Sequence, residues 1–255
     1  MSLIGGERFY AGIRESTARL AGIVTDEDEA RAIPTCPDWT LRQLATHVGR
    51  AQRWAAEIVT RRSPEFIAFR DVPNGRIPDD PAQRPDWLNG GATLLIDSVR
   101  AGGGERVWTL TGMGPAGFWA RRMAHETAVH LADAELAVGR EVRIAADLAT
   151  DGIDEWLGFA AGDPGDQPLP LPAEGQTLHV HVTGDAPDGT GEWLVTRTAE
   201  GLTVEPGHAR ADVAVRGPAA PLFLVLMRRL PPAEAGVEVL GDQELFAYWL
   251  EHTRF

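Results

Sequence analysis

The spacing of apolar residues changes once along this chain, and that change limits what the chain can fold into. Up to about residue 160, apolar side chains recur at three- and four-residue intervals, as with Phe9, Ile13, Leu20 and Ile23 within 7–23. Beyond residue 176 they come in short runs of strand type, at 177–183, 192–198, 202–205 and 212–216. The Pro- and Gly-rich stretch 162–175 lies between the two and reads as a connector. The prediction is an α+β protein: a helical domain over 1–161, a linker over 162–175 and a small α+β domain over 176–255.

Within the first part, Thr40 and Gln43 have the spacing of a capping box, so a second helix is expected from 40 to about 60. A loop rich in Pro, Asp and Arg follows at 61–85, long enough to act as a lid or to cover one end of a bundle. Helices are expected at 86–100, 117–138 and 147–160. The run Gly102-Gly103-Gly104 ends the first of these. It is no phosphate loop, since it lacks the preceding strand, the lysine and the Ser or Thr. After the four strands, a helix over 219–229, a strand over 237–240 and a helix over 243–253 complete the chain.

Chemistry concentrates at three positions. Glu126 and His130 are four residues apart, and at about 100° per residue they share one helix face. His125 is turned from His130 by roughly 140° and does not share it. The segment therefore differs from a His-Glu-x-x-His zinc helix, whose two histidines bind from one side. Together with His47 on the helix expected from 40 to about 60, Glu126 and His130 offer two imidazoles and a carboxylate. That donor set suits zinc or another divalent first-row metal and leaves coordination positions open. Asp133, three residues past His130, is placed to accept the second imidazole proton and fix the ring. An ion pair between Glu126 and Arg122 on a solvated face is the alternative that spacing leaves open.

A formal net charge of -13 argues against nucleic acid and anionic membranes as partners. Every basic residue is arginine, which removes mechanisms that need a lysine Schiff base. Cys36 is the only cysteine, so no intramolecular disulfide is possible, and small-residue packing accounts for it. No long apolar run or signal-like start is present, which predicts a soluble, cytoplasmic protein.

Two segments resemble the motifs of the mycothiol-dependent maleylpyruvate isomerase family, within the DinB-like group of metal-binding four-helix bundles. They are Cys36-Pro37-Asp38-Trp39-Thr40 leading through Leu44 to His47, and Glu126-Thr127-Ala128-Val129-His130 followed by Asp133-Ala134. The resemblance implies that His47, Glu126 and His130 bind zinc, and that the C-terminal third is a small sterol-carrier-like domain. It further implies that mycothiol is the thiol cosubstrate, its metal-bound thiolate attacking a small electrophile in an isomerase or an S-transferase. A monomer or homodimer is expected.

Two other function classes use the same residues. A metal-dependent amide or ester hydrolase would need Asp133 or His125 as base, and a ligand-binding regulatory protein would need neither. Arg228 and Arg229 end an apolar helix, where their charge complements the helix dipole; a guanidinium there also suits a substrate carboxylate. His179 and His181 share one face of a strand, a possible pair of metal donors with no third ligand evident nearby in sequence.

Overall fold

The computed structural model describes residues 3–162, 168–184 and 191–253. Four long helices dominate the compact unit Gly5–Arg143: α1 (Gly6–Asp26), α2 (Leu41–Arg61), α3 (Arg84–Gly102) and α4 (Gly117–Ala137). The capping box forms as expected. Thr40 accepts from the Gln43 amide, and the Gln43 side chain accepts from the Thr40 amide at 2.8 Å. Two amide donors that the start of α2 would otherwise leave orphaned are thus satisfied.

Helix α2 packs on α3, and α1 packs on α3 and α4. Leu20, Ile23, Ile33, Leu41, Leu44, Val48, Leu88 and Leu131 form a buried core that joins all four helices. From Arg122 to Glu135, helix α4 is buried at every position except Glu126, which is only half-buried. An element enclosed this way has few places to carry charge, so a carboxylate at its one open position stands out.

The loop between α2 and α3 is pinned to the helices. Trp54 Nε1 donates to the Ile67 carbonyl at 2.7 Å, and Trp87 Nε1 donates to the Asn74 carbonyl at 2.9 Å. Between α3 and α4 lies a hairpin that the spacing did not predict, β1 (Arg106–Thr109) paired antiparallel with β2 (Gly112–Pro115). Its strands are too short to show alternation, and Gly112 turns the chain at φ +100°.

The second unit comprises Met1–Ile4 and Ile144–Phe255. The division therefore falls ahead of the expected linker at 162–175, of which 163–167 lie outside the described residues. The reason is α5 (Ala146–Ala160), which packs on α6 (Ala219–Leu226). A side chain at Gly152 would meet the Phe223 ring at 2.7 Å, so the two helices approach at a glycine. The unit Gly5–Arg143 accordingly contains four long helices.

Five strands form one sheet in the order β5-β4-β3-β6-β7. They are β3 (Thr177–Thr183), β4 (Glu192–Thr198), β5 (Gly201–Pro206), β6 (Val213–Pro218) and β7 (Glu238–Gly241). Only β3 and β6 run parallel; the other neighbours are antiparallel. Leu178, Val180, Val182, Trp193, Val195, Val213 and Val215 are buried, as are Leu222 and Phe223 of α6. A short helix α7 (Pro232–Ala235) and α8 (Gln243–His252) complete the unit. Among the described residues, no helix is long and apolar enough to cross a membrane.

Candidate metal centre

The three sequence-predicted ligands meet. His47 Nε2 lies 3.0 Å from Glu126 Oε1, and His130 Nε2 lies 3.2 Å from the same oxygen. One donor atom from each residue falls within 4.8 Å of the others. His47 stands two turns inside α2, while Glu126 and His130 occupy successive turns of α4. Trp39, from the turn before α2, lies against both imidazoles, with ring centroids 4.8 Å from His47 and 5.6 Å from His130.

Two of the three candidate ligands, His130 and Glu126, are held from behind. Asp133, fully buried, lies 2.9 Å from His130 Nδ1, which leaves Nε2 directed at the cluster. The other Asp133 oxygen accepts from the Thr35 hydroxyl at 2.6 Å. Arg122 donates to Glu126 Oε2 at 3.0 Å, leaving Oε1 to the histidines. The alternative ion pair expected for Glu126 thus exists together with the site, and Arg122 is buried instead of solvated.

Electrostatics follow from this packing. Burial would raise the Glu126 carboxyl, but hydrogen bonds from His130 and His47, with the charges of His130 and Arg122, hold it well below the usual range. Burial would lower the His130 imidazole, and contacts with Asp133, Cys36 and Glu126 outweigh that and place it well above its ordinary value.

The remaining expectations divide. His125 is buried on the opposite side of α4, edge-on to Phe9 at 5.8 Å between ring centroids, as its angular offset implies. It does not join the cluster and so offers no base for a hydrolase there. Asp133 is the other base expected for that reaction, and both its oxygens are already engaged. Cys36 is more than packing: its Sγ lies 3.6 Å from Asp133 Oδ2, and it groups with His130 and Asp133. Sequence reasoning missed this because His130 is 94 positions away, and missed Thr35 for the same reason. Membership of Cys36 and Trp39 in the first motif was the available signal.

Arg228 and Arg229 belong to the second unit, and the helix they were expected to end stops at Leu226. The Arg228 amide bonds the Val225 carbonyl and the Arg229 amide bonds the Leu224 carbonyl, at 2.9 and 2.8 Å. Arg228 takes a left-handed φ of +60°, where glycine is usual. The two arginines therefore form the turn that closes α6 and are not part of its last helical turn.

The model of the mycothiol maleylpyruvate isomerase N-terminal domain matches residues 10–135, and that of the C-terminal domain matches residues 147–247. This chain belongs to the mycothiol maleylpyruvate isomerase family. Both candidate ligand motifs fall inside the first match. Two solved structures share the family fold with this chain. One, titled as a histidine-to-alanine mutant of the mycothiol-dependent maleylpyruvate isomerase, is 15% identical with a TM-score of 0.58, covering 92% of this chain and 93% of its own. The other, titled as the mycothiol-dependent maleylpyruvate isomerase, is 16% identical with a TM-score of 0.55, covering 89% and 90%. No curated protein matches the chain.

Proposed function

We propose that this member of the family is a metal- and mycothiol-dependent enzyme, an isomerase or S-transferase acting on a small electrophile of the maleylpyruvate type. The observation that carries the proposal is the meeting of His47 Nε2 and His130 Nε2 on one oxygen of Glu126. Two imidazoles and a carboxylate fit a divalent first-row ion, zinc foremost, and three protein ligands leave room for a further one. Bound there, such an ion would lower the pKa of a low-molecular-weight thiol and raise its nucleophilic fraction at neutral pH.

The protein's own groups supply the rest. Asp133 fixes the His130 ring and its tautomer, and is a positioning residue. Arg122 orients Glu126 by its outer oxygen. Trp39 forms an apolar wall beside both imidazoles, on which the stem of a thiol or substrate can pack. An isomerase returns the thiol after rotation about the former double bond, whereas a transferase keeps the new carbon–sulfur bond.

The test compares metal content by elemental mass spectrometry in untagged wild type, Glu126→Ala and His130→Ala, followed by assay with mycothiol and maleylpyruvate. Near-stoichiometric metal lost in both variants, with thiol-dependent turnover lost alongside it, is expected. A wild type that takes up no zinc when zinc is supplied would overturn the proposal.

A further inference from the structure

The second unit gathers three histidines and a glutamate on one side of its sheet. His179 and His181 alternate on β3 and therefore project from the same face, opposite the buried Leu178, Val180 and Val182. In the antiparallel register of β3 and β4, Glu192 stands directly across from His181. His208 follows the end of β5, where the Gly207 amide bonds the Glu192 carbonyl at 3.0 Å and brings the next residue over Glu192. The four side chains thus come from three separate strands or strand ends.

Their donor atoms converge on the carboxylate. His208 Nδ1 is 2.6 Å and His179 Nε2 3.1 Å from Glu192 Oε2, and His181 Nε2 is 3.6 Å from Oε1. Donor atoms of His179, Glu192 and His208 lie within 4.8 Å of one another. Donors around a tetrahedral zinc ion with bonds of about 2.0–2.1 Å are separated by about 3.3 Å, and the three histidine-to-carboxylate distances bracket that value. His208 is 76% exposed and can adjust to it.

His179 points to a ligand most directly. It is only 4% exposed, and its Nε2 is buried with no hydrogen bond of acceptable geometry despite the nearby carboxylate. A buried ring nitrogen aimed at a cluster without a properly directed partner is costly unless something accepts its lone pair. On the far side of His181, Arg216 is taken up by Glu238 at 2.8 Å, so its charge is balanced.

We propose that His179, Glu192 and His208, with His181 as a fourth donor, form a second site for a divalent first-row metal, zinc or a close relative. Imidazole and carboxylate donors select for such ions over calcium or magnesium. With His181 drawn in from 3.6 Å, the four protein donors would make a closed site, the kind that stabilises a fold. Here the ion would tie the segment after β5 to β3 and β4.

The test is zinc titration by calorimetry on chelator-stripped protein carrying His47→Ala and Glu126→Ala, which disable the bundle site. About one zinc per chain should bind, and thermal melting should shift upward with zinc. Adding His208→Ala, a change at an exposed side chain, or Glu192→Gln should weaken binding by more than about 100-fold, beyond the loss of an outer-shell partner. Far-ultraviolet circular dichroism confirms that each variant is folded. A background variant that binds no zinc overturns the proposal, and so does zinc binding that neither further substitution alters. Neither result depends on whether the bundle site holds metal.

Discussion

Asp133 Oδ2 lies 2.9 Å from His130 Nδ1 while the neighbouring oxygen accepts a 2.6 Å hydrogen bond from Thr35. The carboxylate links the turn before α2 to a residue of α4, and it settles which nitrogen of His130 faces Glu126. Ring orientation is therefore built into the packing of the bundle.

Asp133→Asn keeps an oxygen for Thr35 but presents an amide to His130 Nδ1, which favours the wrong tautomer. The expected outcome is a folded protein whose metal affinity at the bundle site falls by about 10- to 100-fold. Competition with a zinc chelator measures the change. Unaltered affinity would remove Asp133 from the positioning role.

The pH dependence of stability should differ between stripped and zinc-loaded protein. Glu126 is held below its ordinary value of 4.5, so its contribution is present above that pH and lost as pH falls through the folded value. His130 is held above 6.5, so its contribution is complete below that pH and declines as pH rises toward the folded value. Stripped protein should therefore be most stable between these two values. Zinc needs the imidazoles neutral, so the stabilisation it adds should grow with rising pH. Thermal melts across the range, with chelator and with zinc, check both trends. A zinc effect that shrinks on the alkaline side would contradict them.

Gly49, two residues past His47, faces Trp87 of α3, and a Cβ there would lie 2.2 Å from the indole ring. Gly49→Ala must push α2 and α3 apart, at an expected cost of about 1–3 kcal/mol. Urea denaturation measures it. Trp87→Leu should recover part of the loss in the double variant, because the two positions are in contact. Simple additivity would place the strain elsewhere.

Much of the bundle was legible because its signals are local. The capping box at Thr40 and Gln43, the helical face shared by Glu126 and His130, and the opposite placement of His125 all follow from spacing along one helix. The resemblance of the two motifs added the third candidate ligand, His47, which spacing alone could not join to residues 79 and 83 positions later.

Helix α5 was assigned to the bundle on its position ahead of the Pro- and Gly-rich stretch, yet the partner of its apolar face is α6. Periodicity states that a helix has such a face and not what covers it. Arg228 and Arg229 were placed on a helix that stops sooner, because the left-handed turn at Arg228 occurs without the glycine that normally announces it.

The sequence by itself determined the long helices, the main strands, the turn before α2 and the pairing of Glu126 with His130, since each depends on residues within a few positions of one another. Only the tertiary structure decided that Thr35 and Cys36 reach Asp133 and that His208 and Glu192 join His179. Those meetings depend on how helices and strands distant in the chain pack together, and no local pattern of residues encodes that.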